Sequence, residues 1–260
     1  MLAGTKILQI SIYSKGETVG IGRKLLTSYS TLTTPMGNTV SKTGTPMRLL
    51  ELFSGTGSVG KVAQQHGFVV TSVDINRKAN PTFRKDIMRW KYKEFPPGYF
   101  DMIWASPPCN TFSHMQYGLI GRPSKEYNGQ IFTRELMIAQ QEEYGVPILN
   151  KVKEIIEYFQ PGNYFIENPK TGRMKDYMHE YKYTDVCYCM YGFDYKKPTR
   201  IWHNNEEFID EGYMCNHTGR HARAIGNSNS KGVNTLNERY SIPPALVESV
   251  FRCVPCADVA

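Results

Sequence analysis

Residues 47–74 read MRLLELFSGTGSVGKVAQQHGFVVTSVD, and this stretch decides the fold. RLLELF is an apolar run of strand length, GTGSVG is a tight glycine turn, and SVGKVAQQHG predicts a short helix closed by Gly67. FVVTSVD predicts a second strand ending on Asp74. Strand, glycine turn, helix and strand in that order open a doubly wound α/β sheet.

Working outward, YFDMIWAS (99–106) predicts a third strand that runs into Pro107-Pro108, and NYFIEN (163–168) a further buried strand. Residues 133–160 predict a helix, because Leu149, Val152, Ile156 and Phe159 recur at three- and four-residue intervals before Pro161-Gly162 stops the run. YTDVCYCMYGFDYKKPTRIWHN (183–204) alternates like strands around a turn. RYSIPPALVESVFRCV (239–254) is expected to end in a helix begun after Pro243-Pro244. Residues 27–46 carry Thr, Ser, Gly and Pro without a hydrophobic period and read as a linker or arm. The expected division is an N-terminal segment and linker (1–46), a catalytic cofactor-binding domain (47–202), a small polar insertion for target recognition (203–234) and a C-terminal return (235–260).

With 40% hydrophobic and 21% charged residues the composition is that of a soluble globular protein. No apolar run approaches the roughly 18 residues of a membrane span, and the N-terminus lacks the layout of a secretory signal. An intracellular protein without a membrane partner is expected, and a monomer. The formal charge of +7 and pI of about 9.0 favour an anionic partner such as nucleic acid. The six cysteines then read as thiols or ligands rather than disulfides.

In open α/β sheets ligands bind beyond the carboxyl ends of the strands. SGTGSVG (54–60), SPPCNTFS (106–113) and ENPKTG (167–172) all begin there. Gly55, Gly57 and Gly60 fit G-x-G-x-x-G with Asp74 at the next strand end, which suits a ligand whose ribose hydroxyls need a carboxylate. A dinucleotide, S-adenosylmethionine, or a tight turn with no ligand all satisfy that pattern. Nothing downstream resembles hydride-transfer machinery. Asp86 is a second acid for the adenine side, or simply an exposed helix start.

LLELFSGTGSVG, SPPCNTFS, FIENPKTG and a terminal RYSIPPALV, in that order, resemble the cytosine-5 DNA methyltransferase family, most closely its short phage and viral members. The likeness runs from about Arg48 to Phe251. It implies a Rossmann-like S-adenosylmethionine-dependent methyltransferase fold, a mainly parallel sheet with helices on both faces, and DNA as partner. It implies that Cys109 is the thiolate that adds to carbon 6 of cytosine and that Glu167 faces the Watson–Crick edge of the base. Arg200 is expected to contact the base or a phosphate. Cofactor contacts are expected at Phe53, Gly55, Thr56, Gly57, Asp74, Ile75, Asp86, Ile87, Pro107 and Ser241. Ser106, Pro108, Asn168, Arg220 and Arg223 are expected on the substrate side. Prolines before Cys109 would stiffen its loop, and a helix N-terminus or basic neighbour would depress the thiol pKa.

The chain departs from the family pattern in three places. Pro169 follows Glu-Asn where the family has valine. Of the glutamine-arginine-arginine segment only the last arginine is matched, by Arg200, with Lys196 and Pro198 at the other two positions. The terminal element reads RYSIPP, which leaves Ser241 as the candidate contact. The recognition region is small, with Arg220, His221, Arg223 and Lys231 as candidate phosphate contacts.

Cys215, His217 and His221 with Cys253 and Cys256 are one conceivable zinc set, although the halves lie far apart and no metal is expected. Cys187 and Cys189 would point to opposite faces of a strand and make a poor chelate. Rival readings are methylation of the exocyclic amine of cytosine, for which Ser106-Pro107-Pro108 is a matching start, the same carbon-5 chemistry on RNA or nucleotides, and a binding protein without catalysis.

Overall fold

The computed structural model describes residues 45–254 apart from 126, 210–213, 219–220, 226–231 and 234. The expectations placed on residues 1–44, Arg220, Lys231 and Cys256 therefore lie outside the described residues. β1 (Arg48–Leu52), α1 (Ser58–Gln65) and β2 (Val69–Asp74) form the predicted opening unit. β3 (Phe83–Arg84), β4 (Met102–Ala105), β5 (Asn163–Pro169), β6 (Tyr183–Cys187) and β7 (Pro198–His203) complete a seven-stranded sheet. Its strand order is β3-β2-β1-β4-β5-β7-β6. Neighbours from β3 to β5 are parallel, and only β7 runs against both of its partners. This is the expected Rossmann-like arrangement.

Strand residues alternate between two apolar layers. Leu49, Met102, Trp104, Phe165 and Ile201 pack under α1 and α5 (Pro244–Arg252). Leu50, Leu52, Ile103, Ala105, Ile166 and Trp202 pack on the other face under α3 (Val146–Phe159), which contributes Leu149, Val152, Ile155 and Phe159. Helices thus cover both faces, as expected.

The long helix predicted over 133–160 is interrupted. α2 (Arg134–Gln140) passes into a π-helical turn at Gln141–Gly145 before α3 begins, and Gln160 closes α3 in a left-handed conformation (φ 47°). A period of 3.6 residues does not reveal a single wide turn, although such turns cluster at functional sites. The predicted recognition segment starts inside the core, where Phe208 is buried and Asn205 bonds to Asn163 Oδ1 and the Cys253 carbonyl. Further on, β8 (Ala224–Ile225) and β9 (Gly232–Val233) form a short parallel pair. α4 (Leu236–Tyr240) opens with a capping box between Thr235 and Glu238. Among the described residues no helix is long and apolar enough to cross a membrane.

Candidate active site

The glycine turn is built by three left-handed residues, Phe53 (φ 59°), Gly55 (φ 51°) and Gly57 (φ 67°). Glycine tolerates that conformation freely; phenylalanine does not, so Phe53 marks local backbone strain. It is held because the Phe53 and Ser54 N–H groups both donate to the Val73 carbonyl (2.8 and 3.3 Å). Gly60 has a different role. A Cβ there would lie 2.6 Å from Glu51 Oε2, so glycine permits α1 to sit directly over the Glu51 carboxyl.

Asp74 ends β2 facing this turn, accepting from Gly55 N at Oδ2 (2.8 Å) and from Asn76 N at Oδ1 (2.7 Å). Both oxygens are thereby fixed while retaining lone pairs for ribose hydroxyls. The Ser54 hydroxyl is buried with no protein partner, and Ile75 beside Asp74 is 68% exposed. An orphan donor in the turn, an oriented carboxylate and an unsupported apolar side chain fit an adenosine-bearing cofactor. Asp86 caps the short turn Ile87–Arg89 through Oδ1 to Met88 N (3.0 Å). Ile87 itself packs in the core, which leaves its backbone rather than its side chain for a cofactor.

A cleft of about 580 Å³ opens beside the turn, lined among others by Ser54, Thr56, Lys61, Asn76 and Tyr240. It does not include Cys109 or Glu167. The C-terminal return reaches the same turn. Ile242 N donates to Ser58 Oγ (3.2 Å), which lies 2.6 Å from Thr56 Oγ1, while Ser241 Oγ bonds back to Asn237 O (2.6 Å).

Cys109 follows β4 in a turn that continues as a short 3-10 helix, Asn110–Phe112. Pro107 is buried and Pro108 exposed. The Pro107 carbonyl accepts from Asn168 Nδ2 (2.8 Å), so the Glu-Asn end of β5 is tied directly to the cysteine loop. Ser106 braces the base of that loop, with Oγ accepting from Trp104 Nε1 (3.0 Å). Glu167 is buried, and Oε1 accepts from the Tyr188 hydroxyl at 2.9 Å. Burial pushes the Cys109 thiol up, the Glu167 charge pushes it further, and only Lys197 pulls it down. The expected depressed thiol is therefore not found: the sulfur is desolvated and faces an acid before it faces a base.

A family model for the C-5 cytosine-specific DNA methylase matches residues 47–196. A probable DNA (cytosine-5)-methyltransferase of Frog virus 3 is 37% identical over 218 residues, covering 77% of this chain and 97% of the viral protein. The chain belongs to the C-5 cytosine-specific DNA methylase family. The human tRNA (cytosine(38)-C(5))-methyltransferase is 32% identical over 83 residues, 27% of this chain and 21% of that one. Among solved structures, an Entamoeba histolytica methyltransferase aligns over 64% of this chain and 56% of its own, at 14% identity and a TM-score of 0.43. The chain thus spans about half the length of that solved relative.

In this DNA methylase Lys197, one of three cations in KKPTR, faces the site. Its Nζ lies 3.9 Å from Glu167 Oε1 and 4.5 Å from the centre of the Tyr188 ring, and donates to the Arg239 carbonyl (2.9 Å). Arg200, expected on the base, is placed elsewhere. Ile201 is the cross-strand partner of Glu167 and Arg200 that of Asn168, so Arg200 lies on the opposite face of the sheet from Glu167. There its guanidinium makes two bonds to Asp185 (2.7 and 2.9 Å) over the Tyr183 ring, with Lys170 as a second cation at 3.1 Å.

Arg223, expected on phosphate, is bound by Asp194 (2.8 Å) and Glu238 (2.6 Å). Both arginines are thus engaged in ion pairs within the protein. The methylase's cysteines also depart from expectation. β6 ends at Cys187 and the chain curls into a 3-10 turn at Tyr188–Tyr191, so the Cys187 and Cys189 sulfurs lie 3.3 Å apart rather than on opposite faces. Cys253 instead donates to the Ser249 carbonyl (3.3 Å).

Proposed function

We propose that the protein methylates carbon 5 of cytosine in DNA through a covalent bond between Cys109 and carbon 6. The observation that carries this reading is the convergence of Cys109, Glu167 and Lys197 beside a turn that suits an adenosine. The cofactor fitting that turn is S-adenosylmethionine, with Phe53, Gly55, Thr56, Gly57 and the Ser54 hydroxyl around one end and Asp74 and Ile75 around the ribose and adenine. When bound it supplies an electrophilic methyl group.

The residues of the chain do the rest. Glu167 hydrogen-bonds N3 and the exocyclic amine of the base, favouring protonation at N3 as the ring is attacked. Once the Glu167 charge is engaged by the base, its repulsion on the Cys109 sulfur falls while the attraction of Lys197 remains. Thiolate formation is thereby coupled to docking of the base. The sulfur adds to carbon 6, and the electron pair displaced onto carbon 5 makes it the nucleophile for the methyl. Loss of the carbon-5 proton then expels the sulfur and restores Cys109. Asn168 holds the loop through Pro107 so that sulfur and carboxyl keep their spacing. A duplex base cannot be reached this way, so the cytosine is flipped out or already unpaired.

The test is a mechanism trap. Duplex DNA carrying 5-fluorocytosine and methyl-labelled cofactor should give a stable protein–DNA adduct on the Cys109 peptide, because the fluorine cannot leave as the proton does. Cys109→Ser should give none. Methylation surviving that substitution, or label appearing on tRNA and not on DNA in a parallel reaction, would overturn the proposal.

A further inference from the structure

At the end of β6 three thiols converge, and a histidine stands beside one of them. The sulfurs of Cys187, Cys189 and Cys215 all lie within 4.8 Å of one another, with Cys187 buried and the other two partly so. The Cys187–Cys189 separation is 3.3 Å, and Cys215 Sγ lies 3.4 Å from His221 Nε2. A tetrahedral zinc ion with bonds of about 2.3 Å to sulfur and 2.0–2.1 Å to nitrogen sets edges of about 3.8 Å between sulfurs and about 3.5 Å between sulfur and nitrogen. The two measured edges fall within about 0.5 Å of these values.

We propose that Cys187, Cys189, Cys215 and His221 form a structural zinc site of the Cys3His type. Four protein ligands with no open position match closed structural sites rather than catalytic ones. The spacing supports a single ion, since a set of sulfurs this close leaves no room for an iron–sulfur cluster. A divalent cation bound here would displace three protons as the thiols become thiolates and would take neutral His221 through Nε2.

The site would fasten Cys215 and His221, within the segment expected to recognise the target, to the outer part of the sheet. Tyr188 stands between two of its ligands and donates to Glu167, so the same ion would fix the turn behind the catalytic carboxyl. This proposal stands on geometry alone and does not depend on the methylation chemistry.

The full-length protein, purified under reducing conditions from zinc-supplemented medium, should carry about one zinc per chain by elemental mass spectrometry. Replacing zinc by cobalt(II) should give intense visible ligand-field bands with sulfur-to-cobalt charge transfer in the near ultraviolet. Cys189→Ser and Cys215→Ser should each lose most of the metal, while Cys253→Ser, at the end of α5 and outside the three-thiol cluster, should keep it. Wild-type protein that stays substoichiometric after zinc reconstitution and gives cobalt no thiolate bands would overturn the proposal without reference to any variant. So would full metal content in both ligand variants, or a disulfide joining two of these cysteines in the reduced preparation.

Discussion

At the Cys109 sulfur two opposite charges compete, and their balance is testable without turnover. Glu167 raises the thiol pKa and Lys197 lowers it, both added to the larger effect of burial. Glu167→Gln keeps an acceptor for the Tyr188 hydroxyl but removes the repulsion, so the thiolate fraction at fixed pH should rise. Lys197→Met should lower it. Alkylation of the Cys109 peptide by iodoacetamide, followed by mass spectrometry across pH 7–10, should therefore run roughly three- to tenfold faster in the first variant and slower in the second. Equal rates in all three proteins would show that neither charge governs the sulfur. Both variants should lose methylation, so reactivity and catalysis would move in opposite directions in Glu167→Gln. The roles proposed for Cys109 and Glu167 rest on short motifs at strand ends, which a sequence displays directly. Lys197 was not legible in that way, because KKPTR holds three cations in five residues. Which of them faces Glu167 depends on the β5–β7 register, and one residue of slip exchanges the faces.

At the scale of elements, the cysteine loop is seated by a wide helical turn. Gly145 closes the π-helical segment, and a Cβ there would lie 2.5 Å from Thr111 Oγ1 and 2.8 Å from Phe112 Cζ, both on buried side chains. Its backbone is ordinary helix, so alanine would recover up to about 1 kcal/mol of helix propensity. Overpacking against a β-branched side chain and a ring costs about 1–3 kcal/mol, which outweighs that gain. Gly145→Ala should therefore lower the melting temperature and push the Asn110–Phe112 turn, and with it Cys109, out of position. Gly118, with nothing within 4 Å of a Cβ and no left-handed φ, provides the comparison. Gly118→Ala should leave melting nearly unchanged, and the contrast is read by calorimetry and initial rates. A Gly145→Ala protein with native stability and rate would remove the π turn from any role at the site. The helix over 133–160 was legible from its apolar interval, and its interruption was not. The residues packed against that turn, Thr111 and Phe112, lie more than thirty residues away in the chain.

Over the whole molecule, two buried titrating groups stand on different strands of one sheet and pull stability in opposite directions with pH. His203 on β7 is fully buried between the Thr184 hydroxyl (3.0 Å) and the Asn205 carbonyl (2.9 Å), and burial pushes its pKa down to about 4. The unfolded chain binds that proton near 6.5, so stability from this group is complete above 6.5 and falls as pH drops towards 4. Glu51 on β1, buried beneath α1, has its pKa raised to about 7, with desolvation outweighing the N–H groups of Gly60 and Val59. Its contribution runs the other way, complete below about 4.5 and lost as pH rises towards 7. Neither group was legible as buried in the sequence, where Glu51 interrupts an apolar strand and His203 precedes a polar loop. Only the sheet, with helices on both faces, encloses them. The two shifts are similar in size, on the order of 2–3 kcal/mol each, so their slopes should nearly cancel between pH 4.5 and 6.5. Glu51→Gln removes one side of that balance. Urea midpoints of the variant should then climb with pH from 4.5 to 6.5 more steeply than those of the wild type, and above pH 7 the variant should be the more stable protein. Parallel curves for the two proteins would mean that the Glu51 carboxyl ionises in the folded protein as it does in water, and that the close seat of α1 on Gly60 encloses no protonated acid.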